Sequence, residues 1–441
     1  MESTITIERL ISRPASGDGN FPLSLGQLKR FINVLWDIPF YHSGSSCKVM
    51  PILLSELSDL NPDRMVLKRK FPGTNPYFHH CSYVQYYIAV RSGKSAGRVA
   101  AFIDRTYHER GVAGTIGWIG LLECIDDDDI ADALLDAAIR DLRAAGAVKI
   151  IGPAKFNANG ENGVLIDGFD KHPMVMEPYH PPYYGRLLAR HGVKENDWYA
   201  FHMDHSGASS YMDRIQHMHQ HGMGLESRMK REGIRIRTAN LADWENEIAR
   251  VKEIYNTAWD TSDHPQFSPF SDEEFNYITA SVRMIAIAGL LFIVEDTTRP
   301  GNPAIGMSVT LPDLNELIEE YDDIHGAYRP SRHVYGLADI RRDLGIYRLL
   351  RSRIKSGKFT NARVFILGTL RKKTGLDALL YLKTYFATRD MGIKVASGSQ
   401  IADTNLEMVN PLVRMGTPEI TWRVFRFDGG SQEPIDMASE A

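Results

Sequence analysis

The feature that most constrains the fold is a short arrangement of residues that occurs twice. Each copy has an apolar run, a charged loop, and Asp-Ala-Leu-Leu at the start of a helical pattern. The copies read "CIDDDDIADALLDAAIRDL" from residue 124 and "GTLRKKTGLDALLYLKTYF" from residue 368. Residues 132–149 and 377–394 have the same length, and Gly146 and Gly392 are placed to end the two helices. The chain is therefore predicted to build one strand–loop–helix–strand unit twice.

The sequence around each copy follows one order of strands and helices. In the N-terminal half, "YVQYYIAVRSGKSAGRVAAFID" and "GTIGWIGLLECI" predict three strands before the repeated helix, and "VKIIGPA" predicts one after it. In the C-terminal half, "GLLFIVED", "PAIGMSVTLPDL" and "ARVFILGTL" precede the second helix, and "KVASGSQI" follows it. Ser271 and Glu274 predict a capping box on an earlier helix. The predicted fold class is mixed α/β, in which each copy is a central mixed, twisted sheet flanked by helices.

These elements divide the chain into four predicted segments. Residues 1–205 are expected to form an N-terminal domain and residues 233–427 a C-terminal domain, joined by a helical connector at 206–232. The last residues, 428–441, are small and polar, which is typical of a disordered tail.

Composition excludes several classes of protein. Of the 441 residues, 43% are hydrophobic and 24% are charged, as in a globular protein with a sizeable core. The formal net charge of -4 gives no overall attraction to nucleic acid, and no apolar run is long enough to span a bilayer. The start lacks the pattern of a secretory signal, and the three cysteines lack metal-ligand spacing. We therefore expect a cytoplasmic protein with reduced thiols, no metal and no membrane partner.

The two charged loops predict different properties for the two helix N-termini. The unpaired N–H groups of a first helical turn and the helix dipole attract anions. In the second loop, "RKKTG", Gly375 allows close approach and the neighbouring cations add positive charge. In the first loop, the carboxylates of residues 126–129 cap their own helix well but would repel a phosphate. The second loop is therefore a candidate ligand site, with a solvated basic turn as the alternative, and the first loop is structural.

The strand order, the two loops and several longer runs resemble the GNAT superfamily of acyl-CoA N-acyltransferases, present twice in tandem. The runs that carry the resemblance are "GRVAAFID", "IGLLECIDDDD", "IIGPAKFNANGENGVLIDGFD", "VMEPYHPPYY", "TLPDLNEL" and "GLDALLYL", within residues 20–427. The resemblance implies two tandem GNAT folds and transfer of an acyl group from a pantetheine thioester to a small-molecule amine. It also implies that no cofactor is permanently bound, because acyl-CoA or a phosphopantetheine thioester serves as co-substrate.

By resemblance, the donor binds to the second copy. The GNAT phosphate loop has the form Gln/Arg-x-x-Gly-x-Gly/Ala, and its best match here begins at Lys372. It departs from that form by the lysine itself, by Asp377 at the last position and by a shorter loop. These departures leave free acyl-CoA and an acyl-carrier-protein thioester as alternatives. The predicted donor-binding residues are Gly368, Thr369, Leu370, Arg371, Lys372, Lys373, Thr374, Gly375, Leu376 and Asp377.

The candidate catalytic residues also come from the resemblance. GNAT enzymes often place a tyrosine as acid in the helix after the fifth strand, but "TNLEMVNPLVRMG" contains none. Asn405 lies where the family often has an asparagine near the pantetheine. Asp313 and His264 are the candidate bases; the alternatives are that Asp313 caps a following helix and that His264 is a surface loop residue.

Polar loops of the N-terminal half are the candidate acceptor site. "KFNANGENG" is polar and turn-prone, and "EPYHPPYY" adds aromatic hydroxyls. The alternative is that the loop is held by bonds from asparagine side chains to the backbone. The candidate acceptor-binding residues are Asn157, Asn159, Glu161, Tyr179 and Tyr183.

A basic helical segment at 338–358 predicts a docking surface for an acidic acyl carrier protein or, as an alternative, for tRNA. A solvated helix face would explain the same residues. The expected activity is transfer of an acyl group other than an aminoacyl group. Its alternatives are an aminoacyl-tRNA-dependent transferase, a class that also uses paired GNAT folds, and a non-catalytic acyl-thioester-binding subunit.

Overall fold

The structure is a computed structural model, and it describes residues 4–11, 21–42, 49–63, 75–157, 159–205, 209–259, 264–371, 374–414 and 416–427. The predicted tail at 428–441 and two of the predicted donor-binding residues, Lys372 and Lys373, lie outside the described residues.

Strands and helices alternate along the chain in the predicted order. The strands are β1 (Ile5–Arg9), β2 (Cys81–Arg91), β3 (Lys94–Asp104), β4 (Thr115–Cys124), β5 (Ala147–Gly152), β6 (Val164–Asp167), β7 (Val193–Asp204), β8 (Ile234–Thr238), β9 (Leu291–Asp296), β10 (Ala304–Pro312), β11 (Asn361–Thr369), β12 (Val395–Ala402) and β13 (Ile420–Arg426). The helices are α1 (Leu25–Asp37), α2 (Leu53–Asp59), α3 (Asp128–Ala144), α4 (Tyr184–Ala189), α5 (Ser209–Arg231), α6 (Trp244–Ala258), α7 (Asp272–Ile285), α8 (Asn315–His325), α9 (Leu337–Ser356), α10 (Leu376–Asp390) and α11 (Leu406–Val413).

Contacts between residues divide the chain into two compact units. Unit 1 comprises Met1–Trp198, Tyr321–Ile346 and Ile420–Ala441, and unit 2 comprises Tyr199–Glu320 and Tyr347–Glu419. These units are groups of contacting residues, so the domain boundaries drawn from the repeat stay predictions.

Unit 1 contains a mixed sheet in the order β1-β2-β3-β4-β5-β13. The first four strands pair antiparallel, β4 and β5 pair in parallel, and β13 pairs antiparallel with β5. Helix α3 connects the two parallel strands and packs its leucines onto the sheet, with Leu134, Leu135 and Leu142 fully buried. Each such leucine stabilises the fold by roughly 1.5–3 kcal/mol.

Unit 2 repeats this plan in the order β8-β9-β10-β11-β12. Its first four strands pair antiparallel, β11 and β12 pair in parallel, and α10 connects these two strands. Residues 199–204 of β7 lie beside β12, in the place that β13 occupies beside β5 in unit 1. Each unit thus takes its last strand from the other half of the sequence.

The repeated ends of the two connecting helices confirm the predicted register. Gly146 follows α3 with φ +95°, and Gly392 follows α10 with φ +78°. Their N–H groups bond the carbonyls of Arg143 and Arg389 at 3.0 and 2.9 Å. Left-handed glycine at this position is the common way to end a helix. The predicted capping box of Ser271 with Glu274 is also present.

Candidate active site

The candidate site begins where β11 and β12 separate. Their parallel ladder runs from Asn361 paired with Val395 to Val364 paired with Gly398. Beyond it, β11 continues to Thr369 alongside β10, with Ile366 opposite Val309 and Thr369 opposite Gly306. The described part of β12 adds no further rung to this ladder. Among the described residues, the second half of β11 therefore has no ladder partner on its side toward β12.

The corresponding strands of unit 1 stay together. Their ladder reaches Trp118 paired with Ile151, and the N–H of Ala154 then donates to the carbonyl of Ile119 at 3.0 Å. A Cβ added to Gly120 would lie 1.7 Å from the carbonyl oxygen of Ala154. The backbone of Ala154 therefore lies beside β4 beyond the end of its ladder, at the place where β11 of unit 2 has no ladder partner.

Two tyrosines saturate the end of β4. The Tyr184 hydroxyl accepts from the N–H of Cys124 at 2.8 Å, and the Tyr183 hydroxyl donates to the carbonyl of Cys124 at 2.9 Å. The Tyr184 hydroxyl donates to the Glu123 carboxylate at 2.8 Å. Burial raises the pKa of Glu123 to about 7, against the opposing effects of Arg98 and the tyrosine hydroxyls. Both backbone groups of Cys124, at the end of β4, are therefore bonded to tyrosine hydroxyls.

The acidic loop before α3 is paired with arginines. Asp127 caps the helix by accepting from the N–H of Ile130 at 3.1 Å, and it also accepts from Arg91 at 3.0 Å. Arg186 pairs with both Asp126 and Asp128. The predicted helix cap is present, and the first loop is held by ion pairs within unit 1.

The loop before α10 is longer and has a different cap. Residues 370–375 connect β11 to α10, whereas residues 125–127 connect β4 to α3. Gly375 occupies the N-cap position with φ +82° and has no side chain to bond the first-turn N–H groups. These N–H groups remain donors for an anion. A Cβ at Gly375 would lie 3.0 Å from a methyl carbon of Leu225.

Two predicted residues of this loop make internal contacts. Arg371 donates to Asp296 at 2.5 Å, so its charge is already paired. The Thr374 hydroxyl donates to the carbonyl of Arg371 at 3.1 Å, and the Thr374 carbonyl accepts from Arg228 at 2.6 Å. Leu376 is buried and Asp377 is exposed. These contacts hold Arg371 beside Asp296 and Thr374 beside Arg228.

Two of the three predicted catalytic residues meet beside β11. Nδ2 of Asn405 lies 3.4 Å from Nε2 of His264, and the His264 ring makes an edge contact of 5.4 Å with Trp259. A Cβ added to Gly368 would lie 2.6 Å from the Trp259 indole. When the Asn405 amide donates, His264 is neutral with its proton on Nδ1. Asn405 also caps α11 through the N–H of Met408.

The chain is similar to known proteins in both sequence and structure. No family model matches the sequence. A "Bacterial ceramide synthase" of Caulobacter vibrioides is 28% identical over 365 residues, which cover 80% of this chain and 86% of that protein. "Protein YghO" of Escherichia coli strain K12 is 29% identical over 365 residues, or 79% and 82% of the two chains.

Among solved structures, the GCN5-related glucosamine N-acetyltransferase region of a fungal multi-domain β-N-acetylglucosaminidase superposes with a TM-score of 0.50. It is 11% identical and matches 97% of this chain, which spans only 38% of that larger protein. The fold is that of the GNAT acyltransferases. The tandem repeat of this fold and the mixed α/β class predicted from the sequence are confirmed.

Asp313 lies at the other end of this GNAT sheet. It is fully buried, its N–H donates to the carbonyl of Asn361, and its carboxylate accepts from the N–H of Asn315 at 3.1 Å. Asn361 begins β11, a strand of 9 residues that spans roughly 25 Å before it reaches Thr369. The structure therefore does not bring Asp313 to His264 and Asn405, and the contact with Asn315 is that of a cap on α8.

The candidate acceptor-binding residues lie in loops of unit 1. The Asn157 side chain accepts from the N–H of Asn159 at 3.0 Å, and the carbonyl of Glu161 accepts from the N–H of Lys155 at 2.7 Å. The Tyr179 hydroxyl donates to the carbonyl of Phe169 at 3.0 Å. Together with the contact of Tyr183 described above, these bonds hold the loops themselves. Acceptor binding by these residues stays a prediction.

A cluster of aromatic side chains next to the candidate site, called here the aromatic wall, was not predicted from the sequence. Tyr255 and Trp259 have ring centroids 5.0 Å apart, and Phe267 and Phe270 lie 5.4 and 4.9 Å from Tyr255. Burial raises the pKa of the Tyr255 phenol. The signal was present in "VKEIYNTAW", where the two aromatic residues are four apart and share one face at the end of α6.

The described residues contain no group of three or more histidine, cysteine or acidic side chains that could hold a metal ion. Within the same residues, no helix is both long and apolar enough to cross a membrane.

Proposed function

We propose that the chain is an N-acyltransferase that moves an acyl group from a pantetheine thioester to an amine. The observation that carries the proposal is the opening beyond Val364 and Gly398, which ends at an uncapped helix N-terminus. An extended pantetheine arm can pair with the exposed side of β11 while its phosphate bonds the first turn of α10. Unit 1 has the same strands and helix but offers neither feature.

The chemistry follows from the groups beside Gly368. The amine nitrogen attacks the thioester carbonyl carbon, the C–S bond breaks, and the thiolate leaves. A backbone N–H of β11 aimed at the developing oxyanion would lower the barrier by roughly 3 kcal/mol. The thiolate needs little help from an acid because the pKa of a thiol is about 8.5.

His264 is the proposed general base. Its Nε2 takes a proton from the attacking amine, directly or through one water molecule, once the amide of Asn405 gives way to the substrate. Asn405 then acts as a positioning residue, since it holds the neutral ring before the acceptor binds. The wall formed by Tyr255 and Trp259 supplies apolar surface next to the reacting carbonyl.

The acceptor is proposed to be the amine of a long-chain amino alcohol. The similarity to a bacterial ceramide synthase supports this class, because a ceramide is the amide of such a base. Both acyl-CoA and an acyl-carrier-protein thioester fit the donor site, since only the phosphate and the arm are required to reach the loop and β11.

The test is a mass-spectrometric assay in which acyl-CoA and acyl-carrier protein are each incubated with a panel of amines that includes a sphingoid base. We expect His264→Gln to lower kcat by about 100- to 10,000-fold while the KM for the donor stays within a few-fold. His333→Gln, at an exposed histidine away from β11, is the matched control and should keep wild-type kcat. The proposal fails if no amine consumes either donor, or if His264→Gln keeps full kcat.

A further inference from the structure

One face of α9 carries a continuous row of exposed side chains. Its members are Leu337, Arg341, Leu344, Arg348, Arg351 and Lys355, called here the cationic stripe. Steps of three and four residues place all six within about 80° around the helix axis. Leu337 is 86% exposed and Leu344 47% exposed, although both are large and apolar. Leucines and arginines alternate over its first four positions, and its last three positions are all cations.

The acidic residues of α9 lie on the opposite face. The helix contains two, Asp339 and Asp343, which are 0% and 8% exposed. Asp339 accepts from the hydroxyls of Tyr328 and Ser331 at 2.7 and 2.6 Å, and Asp343 accepts from the N–H of Leu54 at 3.1 Å. Because both carboxylates point inward, the only charged side chains in the stripe are cations.

The four cations of the stripe have no carboxylate within ion-pair distance in the part of the chain that the structure describes. Two other arginines of the same helix do: Arg342 pairs with Asp322 and Arg353 pairs with Glu320. The inward and lateral charges of α9 are therefore paired within the protein. The four cations of the stripe stay available to a partner outside it.

We propose that the cationic stripe binds the anionic phospholipid surface of a membrane. Guanidinium and ammonium groups bond lipid phosphates, and leucines between them enter the boundary of the acyl region. The attraction falls with ionic strength because exposed charges are screened. This binding is peripheral and needs no membrane-crossing helix, none of which occurs in the described residues, but it departs from the absence of a membrane partner expected from the sequence.

The position of α9 disfavours an acyl carrier protein as the occupant. The end of α9 leads into Asn361 at the start of β11, whereas the donor loop begins at Leu370. Nine residues of strand, roughly 25 Å, separate these two points. A carrier protein has to deliver its thioester at the donor loop, while a membrane surface has no such requirement.

Sedimentation of the full-length protein with lipid vesicles tests the proposal. The vesicles are phosphatidylcholine alone or phosphatidylcholine mixed with phosphatidylglycerol. We expect binding only to the mixed vesicles, and binding that weakens with added salt. Replacing two cations in Arg348→Gln/Arg351→Gln should lower the partition coefficient by about 30-fold. Leu337→Ser/Leu344→Ser, which keeps every charge, should lower it by about 10-fold.

A matched control removes two exposed cations outside α9. Lys94→Gln/Arg110→Gln makes the same change in net charge and should leave vesicle binding within a few-fold of wild type. Equal binding of wild type and Arg348→Gln/Arg351→Gln would overturn the proposal. So would loss of turnover with a carrier-protein donor in that variant without any vesicle binding, which would assign the stripe to a protein partner. Vesicle binding requires no acyl transfer, so its outcome is independent of the proposed reaction.

Discussion

The two strand–loop–helix joints of this chain share a plan and differ in what closes them. In unit 1, the carbonyl of Ala154 lies against Gly120, the hydroxyls of Tyr183 and Tyr184 bond the backbone of Cys124, and Asp127 caps α3. In unit 2, the ladder ends at Val364 and Gly375 leaves the helix start uncapped. One copy has become a fixed part of the fold, and the other keeps the geometry of a binding site.

The structure also changes how the acidic residues before α3 are interpreted. The acidic run at residues 126–129 predicts electrostatic repulsion of a phosphate. The structure shows that Asp126, Asp127 and Asp128 are paired with Arg91 or Arg186, so repulsion is weaker than the sequence implies. The backbone of Ala154 and the hydroxyls of Tyr183 and Tyr184, more than charge, distinguish the end of β4 from the end of β11.

The largest expected effect contrasts two glycines. Gly120→Ala places a Cβ against the backbone of Ala154, which cannot move without breaking the ladder, and should lower the free energy of unfolding by about 3 kcal/mol or more. Gly368→Ala meets only the side chain of Trp259 and should cost about 1 kcal/mol while it shifts the indole and lowers kcat. Urea unfolding of both variants measures the difference. Equal losses in the free energy of unfolding would contradict the description of unit 1 as closed by backbone and of unit 2 as open at the same place.

The second prediction concerns the buried Glu123 at the closed joint. Its pKa is about 7 in the folded protein and 4.5 in the reference state, so the folded protein binds more protons than the unfolded chain between those values. Stability of wild type relative to Glu123→Gln should therefore fall as pH rises from 4.5 to 7, by up to about 3 kcal/mol. Unfolding of both proteins across this range checks it. A difference that stays constant with pH would mean that Glu123 is ionised throughout.

A smaller effect is expected from an acidic residue at the open joint. Gly375→Asp adds a carboxylate at the helix N-terminus and a Cβ in a left-handed conformation, and should weaken donor binding by about 30-fold. Asp129→Asn, at an exposed carboxylate of the closed joint, is the control and should leave donor affinity unchanged. Calorimetric titration with acyl-CoA measures both. Unchanged affinity for acyl-CoA in Gly375→Asp would contradict the proposal that the phosphate of the donor binds the first turn of α10.

The smallest effect is the loss of the cap at the closed joint. Asp127→Ala removes the bond to the N–H of Ile130 and should lower the free energy of unfolding by about 1 kcal/mol. Donor affinity should stay at the wild-type value, because this joint is structural. A weaker affinity for acyl-CoA in Asp127→Ala would show that unit 1 also takes part in donor binding.

Local signals predicted the parts of the fold that depend on neighbouring residues. The glycines after α3 and α10 and the capping box of Ser271 are written within a few residues of sequence, and the structure contains all of them. The family resemblance supplied His264 and Asn405, which the structure places together although they are 141 residues apart.

Contacts between residues far apart in the chain could not be predicted from local sequence patterns. The place of β13 beside β5 depends on which sheet edge a strand reaches, and no local pattern encodes it. The bonds of Tyr183 and Tyr184 to Cys124 join residues about sixty positions apart, so no local pattern could predict them, and acceptor binding by Tyr183 stays a prediction. The pairing of Arg371 with Asp296 is equally distant in the sequence, and donor binding by Arg371 also stays a prediction.

Hydrogen–deuterium exchange with and without acyl-CoA tests the central claim in one sample, because it reports on both joints together. The account predicts slower exchange on donor binding in peptides that cover residues 364–380, where the second half of β11 and the first turn of α10 lie. Peptides that cover residues 115–131 should exchange at the same rate with and without donor. Protection at 115–131, or none at 364–380 under saturating donor, would contradict the assignment of the donor to unit 2.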